Sequence, residues 1–157
     1  MLPIWLRMRR AAARMLRDRS GIAATEFAVI VPVMLVMFFG TVEFSSGVAV
    51  NRKVTLMART LSDLTSQSTA VSDTDLTGFF AASKGVMTPY SSTPTQSTIS
   101  ELYVVPGSLV VKVMWSKGYA PRATGSTVTI PIELKVSGTY LIFSEVAYKY
   151  VPAVGKV

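Results

Sequence analysis

An apolar run near the N-terminus is the feature that most limits how this chain can fold. It covers residues 22–42, IAATEFAVIVPVMLVMFFGTV, and is 21 residues long. About 20 apolar residues in a helix cross the roughly 30 Å hydrocarbon core of a bilayer, so the run predicts a transmembrane helix. A secretory signal has a shorter core of roughly 7 to 15 residues and a small-residue cleavage site. Because the helical pattern continues beyond the run, we expect a retained anchor.

The residues after the run repeat at helical spacing. The recurring apolar positions are Phe44, Val48, Val54, Met57 and Leu61. This pattern predicts one continuous helix over residues 22–61, membrane-embedded in its first half and amphipathic in its second. Pro32 lies inside the span, where membrane helices tolerate a proline.

Positive charge is concentrated directly in front of the apolar run. The chain has a formal net charge of +7, and residues 1–21 contain six arginines and one aspartate. The arginines of this basic leader are Arg7, Arg9, Arg10, Arg14, Arg17 and Arg19. Under the positive-inside rule they predict a cytoplasmic N-terminus and an exported C-terminal domain. A nucleic-acid-binding protein would spread its basic residues over a folded surface, so we expect no nucleic-acid partner.

The chain contains no cysteine and no histidine. Disulfides, thiolate metal sites, cysteine nucleophiles and histidine general bases are therefore excluded. Asp73 and Asp75 lack the rest of a calcium loop and are more simply explained as a helix cap. The sequence has no glycine-rich phosphate loop and no evident nucleophile–base spacing. We therefore expect no enzyme, no metal site and no cofactor.

Glu26 is the one acidic residue inside the apolar run. A charged side chain at the centre of a membrane helix costs at least about 2.5 kcal/mol and is interpreted by default as functional. Near the end of the helix the same side chain can reach water at a lower cost. The acid follows Gly21 by five positions, and Gly21 closes the basic leader.

The stretch RDRSGIAATEF, residues 17–27, resembles the prepilin-like proteins of bacterial type IV pili, and within them the TadE-like proteins of the tight-adherence (Flp) pilus system. Those proteins have a basic leader ending in glycine, which a membrane prepilin peptidase removes on the cytoplasmic side. The resemblance implies cleavage between Gly21 and Ile22, so that Glu26 becomes the fifth residue of the mature chain and Phe27 follows it. Many type IV pilins begin with phenylalanine, and Ile22 departs from that pattern. N-methylation of the new terminus is therefore not implied.

The resemblance extends into the rest of the chain and implies a structural role. The stretches VKVMWSKGY and SEVAYKYVP are similar to two strands of the family. Pairing of the Ile22 amine of one subunit with Glu26 of another would offset the burial of both charges. A head domain of about 95 residues, a size that supports a modest core, implies a minor pilin or pseudopilin, because the major pilin of that system is very short.

The middle of the chain predicts a linker and a short helix. Residues 62–72 are small and polar, as in a linker or a helix end. Asp73 and Asp75 precede an apolar-periodic stretch that closes at Pro89, which predicts a helix of about twelve residues.

Beyond a Ser/Thr-rich loop the hydrophobic period changes to two, which predicts strands. The strand-like segments are ISELYVV, SLVVKVMWS, STVTIPIEL and TYLIFSEVAYKYV. Pro106 and Gly107 predict a type II turn between the first two segments. Pro131 cannot donate to a ladder and indicates an edge or a turn in the third.

Alternation also predicts which side chains share a face. In the second segment we expect one face to carry Leu109, Val111, Val113 and Trp115. In the last segment we expect one face to carry Tyr140, Ile142, Ser144, Val146, Tyr148 and Tyr150, opposite Leu141, Phe143, Glu145, Ala147 and Lys149. The aromatic residues on these strands are expected in the core rather than on a ligand platform.

These patterns predict an α+β fold of pilin type, with a long transmembrane helix, an amphipathic extension and a small antiparallel sheet with a short helix. The predicted parts are a cytoplasmic leader (1–21), the helix (22–61) and a periplasmic head domain (62–157). The predicted location is the bacterial inner membrane, crossed once, or the pilus itself. The implied partners are the prepilin peptidase, other pilins or pseudopilins, and tight-adherence assembly proteins.

Two functions follow from the residues and the resemblance. The first is a minor pilin or pseudopilin, processed after Gly21, that takes part in assembly of a tight-adherence pilus. The alternative is a membrane-anchored periplasmic binding or adhesion module that keeps its leader and never enters a filament. A membrane-tethered enzyme is the least supported class, because the chain lacks histidine and cysteine.

Overall fold

The computed structural model describes residue 5 and residues 20–152, apart from the side chain of Ser20. The elements, in chain order, are α1 (Ser20–Ser66), α2 (Asp73–Gly85), β1 (Thr95–Val104), β2 (Val111–Gly118), a 3₁₀ turn (Ile132–Leu134) and β3 (Tyr140–Tyr148). The predicted α+β class, with one long apolar helix, a short helix and a small antiparallel sheet, is confirmed.

The chain divides into two compact units, Met1–Phe44 and Ser45–Val157. The second unit contains the later part of α1 together with α2 and the sheet. The continuous helix predicted over residues 22–61 is present and runs on to Ser66.

The second half of α1 buries one stripe of side chains. This stripe consists of Val50, Met57, Leu61 and Thr65, all of them less than 5% exposed. Their spacing of four or seven residues keeps them on one face of the helix. The predicted amphipathic extension is therefore confirmed. The same part of α1 also makes a polar contact, since the Nζ of Lys53 donates to the carbonyl of Val86 at 3.0 Å.

Two apolar residues predicted in the amphipathic pattern do not join the stripe. Phe44 is 74% exposed and Val48 is 38% exposed. At about 100° per residue, both fall on a different face of α1 from Met57 and Leu61. Val50 is therefore the first side chain of α1 that is buried within the second unit.

Helix α2 begins with a capping box. Ser72 is the N-cap, its hydroxyl oxygen accepts the Asp75 N–H at 3.2 Å, and the Asp75 carboxylate accepts the Ser72 N–H at 2.9 Å. The Ser72 hydroxyl, which donates to this carboxylate at 2.6 Å, and the Ser72 N–H lower the pKa of Asp75. The acidic cap predicted at Asp73 and Asp75 is thus centred on Ser72, and Asp73 instead pairs with Lys117 at 3.1 Å.

The three strands form one antiparallel sheet in the order β2-β1-β3. One face packs against the helices, with Ile99 of β1 in a cluster with Leu61 and Leu76. The opposite face forms a separate cluster of Leu102, Val104, Val111 and Val113, covered in part by Val128 and Ile130. The sheet is therefore apolar on both sides.

A β-bulge changes the predicted faces of β2. Glu101 is paired with Trp115, and its neighbour Leu102 is paired with Val113, so that Met114 is an extra residue. The bulge reverses the alternation. Trp115 packs beside Ile99 on the helix side, so the prediction that it shares a face with Val111 and Val113 is wrong.

The two faces predicted for the last strand are confirmed. Ile142 and Val146 pack with the helix-side clusters. Leu141 and Phe143 pack on the opposite cluster. Tyr148 and Tyr150 also pack on the helix side, but Tyr140 is 59% exposed and is not a core residue.

Glycine and proline residues determine the backbone conformation at two turns. Gly107 has a φ of +81°, the left-handed value required at the third position of the predicted type II turn. The segment STVTIPIEL forms no strand: Thr127 makes an isolated bridge to Lys112, and the 3₁₀ turn follows Pro131. Pro131 has no N–H to donate, so the turn alternative given by the sequence is the correct one.

Polar contacts join layers that are distant in sequence. The Ser62 hydroxyl donates to the Ser144 hydroxyl at 2.8 Å, and Ser144 donates to the carbonyl of Ala58 at 2.7 Å. These contacts fix β3 against α1. On the opposite face, Arg122 makes two hydrogen bonds to the Glu145 carboxylate, at 2.9 and 2.6 Å, which raise the pKa of the guanidinium.

We predict that Leu61→Ala strongly destabilises the second unit. Leu61 is fully buried between α2 and β1, and truncating a buried leucine to alanine typically costs about 2–5 kcal/mol. Leu56→Ala is the matched control, because Leu56 lies on the same helix and is 52% exposed. We expect the control to change stability by no more than about 0.5 kcal/mol.

The measurement is denaturant unfolding of the full chain in detergent micelles, followed by circular dichroism. Equal losses of stability in the Leu61 and Leu56 variants would contradict the packing described for α1.

Candidate functional site

The four residues singled out by the sequence lie together at the beginning of α1. Gly21, Ile22, Glu26 and Phe27 are all helical and exposed. Ile22 and Glu26 are four residues apart, which places them on one face and about 6 Å apart along the axis. Phe27 is 69% exposed and lies about 100° further around the helix.

Glu26 has only apolar neighbours on its own helix. The positions three and four residues away are Ile22, Ala23, Val29 and Ile30. Within the described part of the chain, the Glu26 carboxylate makes no hydrogen bond and no ion pair. Any group that compensates its charge must therefore come from water, from a lipid headgroup or from another protein surface.

The other polar side chains of residues 22–42 are satisfied within the helix. Thr25 donates its hydroxyl to the carbonyl of Ile22 at 2.8 Å, and Thr41 donates to Met37 at 2.8 Å. Hydroxyl groups that bond to the preceding turn are tolerated in hydrocarbon because no polar hydrogen is left unpaired. Glu26 is therefore the one side chain in residues 22–42 whose polar group lacks an intramolecular partner.

Helix α1 continues through Pro32. Proline cannot donate to the carbonyl four residues before it, which is that of Ala28. The helix is nevertheless continuous from Ser20 to Ser66, and membrane helices commonly tolerate a proline in this way.

The apolar part of α1 is not covered by any part of the chain that the structure describes. Its most apolar window of 18 residues has a mean hydropathy of 2.3, and none of that window is buried. The exposed side chains include Val36 at 73%, Met37 at 68% and Phe38 at 61%. A continuous apolar surface of this length is unfavourable in water. The helix is long and apolar enough to cross a membrane.

Residues 21–61 match the family model for TadE-like protein. This segment is TadE-like. The match begins at Gly21 and includes Ile22, Glu26 and Phe27. The family resemblance predicted for the helix is therefore confirmed over these residues.

The comparison covers the helix but not the sheet. The similarity suggested by VKVMWSKGY and SEVAYKYVP lies beyond the matched residues and stays a prediction. Neither the curated proteins nor the solved structures gave a match to the chain.

The predicted leader lies outside the described residues. The structure therefore does not describe the six leader arginines, which are Arg7, Arg9, Arg10, Arg14, Arg17 and Arg19. Their role in setting the orientation of the helix, and the cleavage between Gly21 and Ile22, stay predictions.

Strand alternation gives no special role to Glu101, which the structure places in a cleft with Trp115 and Tyr140. The available sequence signal is weak: Glu101 is the one acid in the strand Thr95–Val104. Its surroundings depend on the bulge in β2 and on the position of β3, neither of which can be read from local sequence.

We predict that residues near Val33 lie in hydrocarbon. The chain contains no cysteine, so Val33→Cys and Thr69→Cys each introduce one thiol. Both positions are exposed on the protein surface. In permeabilised membrane vesicles, a charged maleimide should label Val33→Cys at least about tenfold more slowly than Thr69→Cys, because a thiolate does not form readily in an apolar surrounding.

Complete unfolding in detergent and denaturant is the control and should equalise the two labelling rates. Equal rates in intact membranes would show that the segment around Val33 is in water.

Proposed function

We propose that this protein is a minor pilin or pseudopilin that takes part in assembly of a tight-adherence pilus. The observation that carries the proposal is the unpaired Glu26 carboxylate on an apolar, uncovered and TadE-like helix, five positions after Gly21. In this proposal the helix is an assembly surface and the chain is not an enzyme. Its partners are a prepilin peptidase, other pilins and tight-adherence assembly proteins.

The proposed orientation follows from the basic leader. Six arginines before the span keep the N-terminus in the cytoplasm, and the second unit is then periplasmic. Helix α1 anchors the protein in the bacterial inner membrane through a single pass.

The proposed processing step is hydrolysis of the Gly21–Ile22 peptide bond. Cleavage removes the leader and gives Ile22 a free amine in the first turn of α1. A carboxylate near a helix N-terminus is favoured by the helix dipole. Lateral packing of two such helices would allow Glu26 of one chain to pair with the Ile22 amine of a neighbour, so that neither charge is buried alone.

We predict that the mature protein begins at Ile22. The measurement is N-terminal sequencing of protein recovered from membranes of cells that contain the prepilin peptidase. Gly21→Val is the matched variant, because a Cβ at Gly21 meets no atom within 4 Å and the helix can accommodate the new side chain. We expect this variant to keep its leader.

A start at Met1 or Leu2 in the unchanged protein would contradict the proposal. It would favour the alternative function, a membrane-anchored binding or adhesion module that is not processed and does not enter a filament.

We predict that Glu26→Ala inserts into the membrane normally but fails in assembly. Removing one partner of a buried ion pair typically costs about 3–5 kcal/mol, so incorporation or piliation should fall by more than about tenfold. Glu26→Gln should fail to a similar degree, because it keeps the size of the side chain but not its charge. Glu133→Gln, a change of an exposed acid in the second unit, is the control.

The measurements are membrane fractionation, to confirm insertion, and quantitative immunoblotting of sheared pili. Normal piliation in Glu26→Ala would disprove the proposed pairing.

A further inference from the structure

The second unit contains a cleft between the end of α1 and the helix-facing side of the sheet. Its volume is about 430 Å³, within the range typical of ligand pockets. The residues used below are Thr65 and Ser66 of α1, Glu101 of β1, Trp115 of β2 and Tyr140 of β3.

Glu101 places a carboxylate at the centre of the sheet. Its neighbours across the sheet are Trp115 on β2 and Ile142 on β3. The residue is half-buried and makes no hydrogen bond or ion pair with the described residues. A carboxylate between two apolar neighbours loses part of its hydration, and that loss is offset only by a donor or a cation.

The end of α1 adds negative potential to the same cleft. Thr65 and Ser66 belong to the last turn of the helix, which contains no basic residue. The C-terminus of a helix carries the negative end of its dipole and favours a cation. The dipole of α1 and the charge of Glu101 therefore act in the same direction.

Aromatic rings line the cleft beside the carboxylate. Trp115 is half-buried and Tyr140 is 59% exposed. The Tyr140 ring also packs against Tyr103, with 4.7 Å between ring centroids. The face of an aromatic ring attracts a cation, and a planar guanidinium both stacks on it and bonds a carboxylate in parallel.

The chain does not supply this cation from its described residues. Lys117 pairs with Asp73 and Arg122 pairs with Glu145, so neither cation pairs with Glu101. By strand register, Lys117 lies opposite Ile99 and Lys112 opposite Tyr103, each two residues from Glu101 along β1. Lys117 is paired with Asp73, and Lys112 is exposed and forms no ion pair with Glu101. The carboxylate is therefore available to a cation from outside.

We propose that this cleft binds an arginine side chain carried by an extended segment of a partner protein. The guanidinium would bond Glu101, stack against Trp115 or Tyr140 and lie at the negative end of α1. Arginine fits better than lysine because its cation is planar and more weakly hydrated. The inference goes beyond the role proposed for the membrane helix and does not depend on it.

The test uses the full chain in detergent micelles and three short peptides. The chain has two tryptophans, so Trp5→Phe leaves Trp115 as the single fluorescent reporter in the cleft. The probes are Ac-Ala-Ser-Arg-Ser-Ala-amide and the same peptide with lysine or with uncharged citrulline in place of arginine. We expect saturable binding of the arginine peptide, at least about tenfold weaker binding of the citrulline peptide, and intermediate binding of the lysine peptide.

Glu101→Gln should weaken binding of the arginine peptide by at least about tenfold, because it removes the charge with little change in size. Glu133→Gln is the matched control and should bind as the unchanged protein does, since Glu133 is an exposed acid that does not line the cleft. Circular dichroism checks that both variants are folded.

If the protein with an intact Glu101 binds the arginine and citrulline peptides equally well, the proposal is wrong. Unchanged binding by Glu101→Gln, equal weakening by Glu133→Gln, or lysine binding as tight as arginine would also overturn it. Because the readout is peptide affinity, a negative result leaves the proposed processing and the role of Glu26 untouched.

Discussion

The second unit depends on the burial of one stripe of α1. Met57 and Leu61 are fully buried and join the clusters that contain Met87, Leu76 and Ile99. A small sheet gains stability by packing against a helix, and α1 supplies one wall of the core of this one. The same helix carries residues 22–42, which no part of the described chain covers. Helix α1 thus has two kinds of apolar surface: a stripe that is buried against the sheet and α2, and an exposed span that is favourable only in hydrocarbon.

The polar side chains of α1 also behave differently in its apolar part and in the second unit. In the apolar part, Thr25 and Thr41 bond to the preceding turn, which leaves Glu26 as the side chain without a partner. In the second unit, Ser62 and Ser144 link the helix to β3. An unpaired carboxylate is costly where water is scarce. Glu26 lies on an apolar helix and Glu101 is half-buried between Trp115 and Ile142, and neither has a partner among the described residues. These are the two positions at which we propose contact with other molecules.

Much of the fold could be predicted because its signals are local. The apolar run, the continuation of α1, the start of α2 near Asp73, the turn at Gly107 and the faces of β3 follow from spacing within a few turns or strand residues. Other features depend on distant pairing. The bulge at Met114 exists only relative to β1, so the change of face at Trp115 cannot be read from β2 alone. The N-cap is a different case, because Ser72 forms its capping bonds with Asp75, three residues away, and that spacing is a local signal.

The long helix, its apolar span and the five-residue spacing from Gly21 to Glu26 can be read from the sequence, because hydropathy and spacing along one helix need no knowledge of the rest of the chain. The folded structure was needed to establish that Val48 stays exposed while Val50 is buried, since that depends on which face of the helix meets the sheet. It also decided that Glu101, Trp115 and Tyr140 line one cleft. Those residues come from three strands, and only their register and the bulge bring the side chains together.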